Sequence, residues 1–276
     1  MALYYADVHR TRKNGEGFRI TYTLDGLTFR HTDSFGEIPA EAGDRVFVDT
    51  IPLQHTDGVI ELLRRGVEVY YLRRLTLIAR KREELKLSKT ARNDVRTLMA
   101  IEQKWFKRVT EDFLVLRRMI VTYRSLMGTH QQFTNKYKAV SEEERRALRP
   151  VVKALEQQMD ELAERIVEEA GRRFPVYNKL VEGLGIRDSP VAMEAVAELV
   201  VYIDLANSPL RGLKKLLGLY KPVRSRRKRH WRLYDGQLRQ ALNRLAMAYY
   251  GTKPNGRQCW MLARRIKELS TPQTQG

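Results

Sequence analysis

Cysteine and long apolar runs are both scarce in this sequence of 276 residues, and each scarcity excludes a class of protein. The single cysteine, Cys259, excludes an intramolecular disulfide framework and any zinc or iron–sulfur site built from several cysteines. No apolar run approaches the roughly 18 residues that a membrane-spanning helix needs. Residues 1–7 have neither the basic flank nor the cleavage signature of a signal peptide. We therefore expect a cytoplasmic protein with no membrane partner.

The charge of the chain is strongly positive and unevenly distributed. Lysine and arginine number 51 against 33 aspartate and glutamate, which gives a formal net charge of +18 at pH 7. Ten basic and three acidic residues lie between Arg64 and Arg92, and ten basic residues with no acidic one lie between Ser208 and Arg232. A stretch without acids is poorly suited to surface ion-pair networks, so we interpret both zones as contacts to a polyanion, with DNA or RNA favoured. The alternative is a pair of solvated basic faces, as in thermophile proteins.

Both zones supply side chains that can neutralise phosphates, and one of them adds an aromatic ring. Each neutralised phosphate releases counterions, so binding should weaken steeply with salt. Trp231 offers a ring on which a base can stack, with simple packing as the alternative. We predict nucleic-acid contacts at Arg73, Arg74, Lys89, Arg92, Lys214, Lys215, Arg224, Arg226, Arg227, Lys228, Arg229, Trp231 and Arg232.

The first region of the chain, residues 1–98, has the pattern of an α/β domain. A helix is predicted over 56–65, and Asp25-Gly26 is a hairpin-turn signal between two predicted strands. A strand, a helix and a strand of this length imply a right-handed parallel crossover. The predicted strands cover residues 3–8, 18–24, 27–32, 45–51 and 67–72.

The second region, residues 99–175, is predicted to be a pair of long helices. Apolar residues spaced three and four apart predict one helix over 95–127, followed by a polar turn over 128–139. Ser141 begins a capping-box pattern that opens a second helix, which runs to about residue 173. Two long helices joined by a short turn favour an antiparallel, coiled-coil-like hairpin, an element that commonly serves dimerisation. We therefore expect a homodimer or a tetramer.

The third region, residues 176–276, is predicted to be a small all-α lobe that binds nucleic acid. Within it, the turn Gly183-Leu184-Gly185 has two interpretations. It either exposes backbone amides at the start of a helix, where they can hold a phosphate, or is a plain tight turn. The sequence alone leaves both interpretations open.

Three aspartates that are far apart along the chain are candidates for a shared metal site. Asp7 lies at the carboxyl end of the first predicted strand, Asp49 lies at the end of a later one, and Asp94 lies at a helix start. If the two strands are parallel neighbours, their ends meet in the crevice where open α/β sheets place ligands. Carboxylate oxygens suit Mg²⁺ or Mn²⁺, and two such ions about 4 Å apart would clamp the attacking and leaving oxygens of a phosphodiester. The structural alternative is two turn-forming aspartates and one acid favoured by the helix dipole.

The order of these elements resembles the RNase H-like fold of Holliday-junction resolvases. In detail, the sequence is similar to the insertion-sequence transposases with an Asp-Glu-Asp-Asp (DEDD, Piv-type) catalytic domain, some of which are RNA-guided recombinases. The resemblance spans nearly the whole chain. The matching segments are Tyr5-Ala6-Asp7-Val8, Val46-Phe47-Val48-Asp49-Thr50, residues 66–72, Lys89-Thr90-Ala91-Arg92-Asn93-Asp94-Val95, Gly183-Leu184-Gly185, residues 213–219 and residues 237–246.

The resemblance implies a metal-dependent enzyme that cleaves DNA or transfers DNA strands, with Mg²⁺ or Mn²⁺ as cofactor. It implies that Asp7, Asp49 and Asp94 hold the metal and are catalytic, and that Ser225 matches the family's serine that becomes joined to DNA. DNA is then the substrate, and a guide RNA is a further partner in part of the family. Two positions depart from the family pattern: Asp49 stands where the family has glutamate, and Ala91 stands where it has the third acid.

Three functions follow from these observations. The first is a DNA transposase or recombinase that acts as an oligomer and uses Ser225 as a nucleophile. The second is a structure-specific nuclease on the same fold, which uses only Asp7, Asp49 and Asp94. The third is a catalytically degenerate DNA- or RNA-binding protein derived from a transposase. In that protein Ala91 marks the loss of catalysis, and Ser225 is a linker residue among arginines that contact phosphate.

Overall fold

A computed structural model of the chain describes residues 1–10, 18–72, 75–219 and 234–271. The chain divides into two compact units, Met1–Arg118 and Met119–Gly276. The first unit is mixed α/β and extends beyond the boundary that the sequence pattern suggests at residue 98. The second unit is helical, and it includes residues 119–139 of the first long helix, the whole second long helix and the short C-terminal helices, which the pattern assigns to separate regions.

A mixed sheet of six strands forms the framework of the first unit. The strands are β1 (Leu3–Arg10), β2 (Phe18–Thr23), β3 (Arg30–Thr32), β4 (Arg45–Val48), β5 (Glu68–Leu72) and β6 (Phe106–Arg108). They lie side by side in the order β3-β2-β1-β4-β5-β6. β1, β4 and β5 run parallel, whereas β2 and β6 pair antiparallel with β1 and β5. The predicted parallel crossover is confirmed, because a helix, α1 (Thr56–Arg64), connects β4 to β5.

The core of this unit forms between the sheet and the helices that follow β5. These helices are α2 (Thr76–Glu84) and α3 (Ala91–Met99). Val95 and Leu98 of α3 are fully buried against Tyr5 and Phe47, whose rings stack at a centroid distance of 5.2 Å. Side chains alternate between the two faces of a strand, so this apolar contact also fixes which strand residues face the helices.

The helix predicted over residues 95–127 is wrong, because part of that segment forms a strand. α3 ends at Met99, β6 then adds to the sheet beside β5, and α4 (Glu111–Ala139) begins after it. The Phe106 side chain is buried, and its ring makes an edge contact with the Phe47 ring at a centroid distance of 5.1 Å. Burial against the sheet therefore outweighs the helical spacing of apolar residues.

The polar turn predicted over residues 128–139 is also wrong, because α4 continues to Ala139. The polar side chains there lie on an exposed helix surface and bond one turn apart, as when the Gln131 amide donates to Asn135 Oδ1 at 2.9 Å. The capping box at Ser141 is confirmed, and it opens α5 (Glu142–Arg173). α4 and α5 run antiparallel on either side of the turn, since Arg145 Nε donates to the Tyr137 carbonyl at 3.0 Å and His130 Nε2 lies 3.2 Å from Glu156 Oε1 farther along the two helices.

Five shorter helices complete the second unit: α6 (Pro175–Leu184), α7 (Pro190–Tyr202), α8 (Leu210–Leu216), α9 (Gly236–Tyr250) and α10 (Gly256–Ser270). Gly183 lies in the last turn of α6, and Gly185 ends that helix in the left-handed conformation with φ +65°. The interpretation of this segment as amides at a helix start is therefore wrong, because the free backbone groups at a helix end are carbonyls. Within the described part of the chain, no helix is both long enough and apolar enough to cross a membrane.

Candidate functional site

Asp7 and Asp49 come from two neighbouring parallel strand ends. β1 pairs with β4 in a register that places Ala6 opposite Val48, so the next residue of each segment brings Asp7 beside Asp49. The backbone amide of Val8 donates to Asp49 Oδ1 at 3.2 Å, and this bond ties the second carboxylate to the first strand. The condition for a shared site, that the two strands be parallel neighbours, is met.

Both carboxyl groups are buried, with 6% of Asp7 and 8% of Asp49 accessible to solvent. Burial, followed by the charge of Asp49 and then that of Asp94, raises the pKa of Asp7 to about 8. The positive charges of Arg82 and Lys89 act in the opposite direction. Burial also raises the pKa of Asp49 to about 7, although backbone amides that donate to it favour the charged form. Within the described residues, neither acid forms an ion pair with lysine or arginine.

Asp94 lies in the same neighbourhood but already has a cationic partner. α3 carries it in the first turn, where the helix dipole favours an acid. Its carboxylate makes a short ion pair with the Arg82 guanidinium of α2, and both side chains are mostly buried. Its charge still raises the pKa of Asp7 and of Asp49. The structure thus brings the three predicted acids into electrostatic range of one another.

His9 lies two residues after Asp7 on β1, and it does not neutralise the two acids. Its Nδ1 lies 3.5 Å from Asp7 Oδ2. Burial lowers the pKa of the imidazole, so the ring is largely neutral at pH 7. The buried Nδ1 makes no hydrogen bond to the part of the chain that the structure describes. Two buried carboxylates beside an unsatisfied ring nitrogen form a polar site that these protein atoms leave incomplete.

The chemistry of the acid pair fits a divalent cation. Asp7 and Asp49 offer hard oxygen ligands, and a cation between them would offset both their burial and their mutual repulsion. Asp94 does not fit in its present position, because Arg82 holds it. Accordingly, no group of three or more His, Cys, Asp or Glu side chains in the described ranges is arranged to hold a metal ion. Mg²⁺ or Mn²⁺ at Asp7 and Asp49 stays a prediction, and a site of three acids requires Asp94 to leave Arg82.

Two predicted nucleic-acid contacts lie near the acids on the surface of the first unit. Lys89 and Arg92 are exposed on either side of the α3 start, and the Arg92 guanidinium lies 5.7 Å from the Phe29 ring centroid. Ala91, where the resembling family has an acid, is the first residue of α3 and offers no side-chain ligand. A basic, partly aromatic surface therefore borders the candidate site.

The remaining predicted contacts belong to other parts of the chain. In the second unit Lys215 is exposed on α8, and the Lys214 ammonium lies 4.8 Å from the Trp260 ring centroid. The nucleophile candidate Ser225 and most of the basic residues predicted around it fall outside the described residues. The positions outside them are Arg73, Arg74, Arg224, Ser225, Arg226, Arg227, Lys228, Arg229, Trp231 and Arg232.

A buried cluster of charges in the second unit was not predicted from the sequence. Glu194 and Glu198 of α7 are fully buried, and Arg244 Nη2 donates to them at 3.0 and 2.8 Å. Arg124 Nε donates to Glu198 Oε1 at 3.0 Å. Burial raises the pKa of Glu194 to about 7 although Arg244 acts against it. A signal was present, since two glutamates four residues apart interrupt an otherwise apolar helix that has no polar face.

The pH dependence of stability should report the raised pKa values of the acid pair. Well below pH 4 Asp7 and Asp49 are protonated in both states. Above pH 4 only the folded state keeps these protons, up to about pH 7 for Asp49 and about pH 8 for Asp7. The free energy of unfolding of the metal-free protein should therefore fall as pH rises, by up to about 1.4 kcal/mol per pH unit for each proton. Urea unfolding of the full chain in EDTA at pH 5 to 8 measures this slope.

Comparison with an Asp7→Asn/Asp49→Asn variant isolates the contribution of the acid pair, because Glu194 titrates in the same range. The variant should show a smaller fall in the free energy of unfolding between pH 5 and 8. Equal slopes for the two proteins would mean that the acid pair does not titrate as its burial requires.

Known protein families and curated proteins give no further evidence on the function of this site. The chain matches no model of a known protein family, and no curated protein matches its sequence significantly. The evidence on function is therefore the arrangement of Asp7, Asp49 and Asp94 and the positive charge of the chain.

Proposed function

We propose that this chain is a DNA transposase or recombinase, or a structure-specific nuclease, that breaks DNA phosphodiesters with Mg²⁺ or Mn²⁺. The observation that carries the proposal is the meeting of two buried acids, Asp7 and Asp49, at adjoining ends of parallel strands, with Asp94 in electrostatic range. The mixed sheet and its acids are consistent with an RNase H-like fold of the DEDD type. The net charge of +18 supports a polyanionic substrate, for which DNA is the favoured choice.

In this proposal the acids hold the metal and the basic side chains position the substrate. The metal, when bound, stabilises charge on the attacking and leaving oxygens of the phosphodiester. Asp7 and Asp49 hold it at the ends of the two central strands, β1 and β4, where their burial limits access of bulk water. Lys89 is exposed near them and neutralises a neighbouring phosphate. Asp94 completes the ligand set when it leaves Arg82, and the released guanidinium can then form paired hydrogen bonds with a phosphate.

Cleavage of a synthetic four-way DNA junction tests this proposal directly. The full chain is incubated with end-labelled junction and with a duplex of the same sequence, in Mg²⁺, in Mn²⁺ or in EDTA. Nicks that appear only with the divalent ion support metal-dependent cleavage of DNA by this chain. A covalent protein–DNA adduct that disappears in Ser225→Ala would identify the transposase, whereas nicking without an adduct would identify the nuclease. Tight DNA binding with no nick in either metal contradicts both.

An oligomer and a guide RNA belong to the same proposal. The apolar stripe of α5 supports a homodimer or tetramer, since its side chains are only half-buried within one chain. These side chains are Leu148, Val152, Leu155, Met159 and Leu162. A coiled-coil contact between hairpins of two copies would cover them. A guide RNA is proposed only for the recombinase, because a nuclease that recognises DNA shape has no need of one.

One observation favours the alternative of a catalytically degenerate DNA- or RNA-binding protein. Ala91 stands where the resembling family has its third acid, and the carboxylate of Asp94 forms an ion pair with Arg82. An arginine in this place satisfies an acid without a metal and leaves two ligands instead of four. This alternative retains the basic surface and the oligomer, and it predicts nucleic-acid binding that is indifferent to divalent ions.

Binding to duplex DNA should depend steeply on salt under either function. The logarithm of the binding constant should fall linearly with the logarithm of salt concentration, with a slope of roughly −0.9 for each neutralised phosphate. Fluorescence anisotropy with a labelled 20-base-pair duplex measures the slope. Replacing Lys89 or Arg92 by glutamine should each reduce its magnitude by about one.

A matched control for these variants is Lys153→Gln, an exposed lysine on the glutamate-rich helix α5. It should leave the slope unchanged. A slope that is flat in the unaltered protein, or equally reduced by all three substitutions, would contradict a phosphate-binding surface at the start of α3.

A further inference from the structure

A cavity of about 210 Å³ lies beside the candidate site, at the carboxyl ends of β4 and β5. It is smaller than the roughly 300–1,000 Å³ of pockets that take drug-sized ligands, so its volume suits one small planar group. Asp49 belongs to its wall, which makes the cavity continuous with the acid pair. The lining residues that matter here are Asp49, Tyr71, Leu72, Leu75, Phe113 and Arg117.

Two aromatic rings belong to the lining of the cavity. The rings of Tyr71 and Phe113 are nearly parallel, with an interplanar angle of 10° and a centroid distance of 5.7 Å. Phe113 is buried, and the Lys107 ammonium lies 5.1 Å from its ring centroid. Tyr71 is only half-buried, so it is the ring that can receive a stacked group from the cavity. Any of the nucleobases can stack on such a ring, because every base has a π face.

The lining of the cavity also carries a positive charge that the described residues leave unpaired. Arg117 is half-buried on α4, and within the described ranges its guanidinium has no ion pair, hydrogen bond or ring contact. Its planar fork of N–H donors matches the acceptor edge of a base or the oxygens of a phosphate. An aromatic wall, an unpaired guanidinium and a neighbouring acid pair together describe a site for part of a nucleotide.

We infer that this cavity binds a single unpaired nucleobase of the DNA, with the base against Tyr71 and its polar edge at Arg117. The inference rests on the proposed function for its substrate class and adds the kind of DNA structure that is recognised. A base must leave the duplex stack to enter the cavity, and the cost is least for a base that is already unpaired. Cleavage should therefore be directed to junctions, loops and strand ends.

Photochemical cross-linking tests the cavity without requiring cleavage. The full chain is mixed in EDTA with a 20-nucleotide single strand that carries 5-iodouracil in place of thymine, irradiated, and digested for peptide mapping by mass spectrometry. We expect adducts at Tyr71 or Phe113. Leu75→Trp adds an indole that blocks the exposed mouth of the cavity. It should lower the yield of these adducts about tenfold, because a base that cannot enter loses its stacking contact with Tyr71.

Leu85→Trp is the matched control, because Leu85 is also exposed, lies at the end of α2 and is not part of the cavity wall. It should leave the adduct yield unchanged, and circular dichroism shows whether both tryptophan variants fold. A measurement that needs no variant is competition by an unlabelled strand with abasic sites at the iodouracil positions, which should compete about tenfold less well than the intact strand. Adducts only outside the cavity, or equal yields from both variants, overturn the inference.

These outcomes are separable from those of the junction assay. Adducts at Tyr71 without any metal-dependent nick would keep the base-binding cavity and reject the cleavage function. Nicks with adducts only elsewhere would keep the cleavage function and reject the cavity. Arg117→Gln should also lower the adduct yield, and an unchanged yield in that variant counts against a role for the guanidinium.

Discussion

Replacing Asp7 by asparagine should abolish metal-dependent nicking and, at the same time, stabilise the protein in the absence of metal. Asparagine keeps the size of the side chain but removes a charge that is buried beside Asp49. Losing a direct metal ligand should lower the cleavage rate by more than the roughly 10–100-fold that removal of a ligand's supporting partner costs. The free energy of unfolding in EDTA at pH 8 should rise by on the order of 1–3 kcal/mol, because the charged form of Asp7 no longer has to be desolvated.

The two halves of this prediction have a common cause and are measured separately. Junction nicking in Mg²⁺ gives the rate, and urea unfolding with and without Mn²⁺ gives the stability. Mn²⁺ should stabilise the unaltered protein and have little effect on Asp7→Asn, since only the former offers both carboxylates. The control is Asp57→Asn, which removes a highly exposed carboxylate of α1. Nicking that survives in Asp7→Asn would remove the acid pair from the mechanism.

Replacing Arg244 by methionine should destabilise the protein by about 3–5 kcal/mol, the usual cost of leaving a buried charge without its partner. Arg244 donates to Glu194 and Glu198, which are both fully buried on α7. Without the guanidinium, Arg124 is still bonded to Glu198, but Glu194 loses the hydrogen bond that Arg244 donates to it. Glu194 should then take up a proton, so the loss of stability should be smaller at pH 5 than at pH 8.

Urea unfolding at the two pH values measures this loss. Arg265→Met is the control, because Arg265 is exposed on α10 and its replacement should change the free energy of unfolding by no more than about 0.5 kcal/mol. Adding Glu194→Gln to Arg244→Met should recover part of the stability at pH 8, since the unpaired charge is then absent. Equal losses in Arg244→Met and Arg265→Met would show that the buried cluster contributes nothing.

Local patterns predicted the elements whose signals are short-range. The strand at Leu3, the helix after Thr56 and the capping box at Ser141 were all predicted, because each depends on alternation, spacing or caps within a few residues. The segment around Phe106 was predicted wrongly. Its apolar spacing fits a helix equally well, and only the free edge of β5 decides that it forms a strand.

The candidate site divides in the same way. The sequence placed Asp7 and Asp49 at strand ends, and the pairing of β1 with β4 then brought them together. It gave no sign that Arg82 would hold Asp94, because that ion pair joins two helices that pack only in the folded unit. The cavity at Tyr71 and Arg117 could not be predicted from the sequence either, since its walls come from separate parts of the chain.

By itself, then, the sequence determined the positive charge, the α/β and helical halves, and the identity of the acids, since these follow from composition and short-range periodicity. Only the tertiary structure decided which charges are compensated. Asp94 and Glu198 form ion pairs with arginine, whereas Asp7 and Asp49 lie side by side and, within the described residues, form no ion pair with lysine or arginine. The physical reason is that the free energy of a charge in a protein depends on its burial and on neighbours within a few ångströms, and both are set by contacts between residues that are distant along the chain.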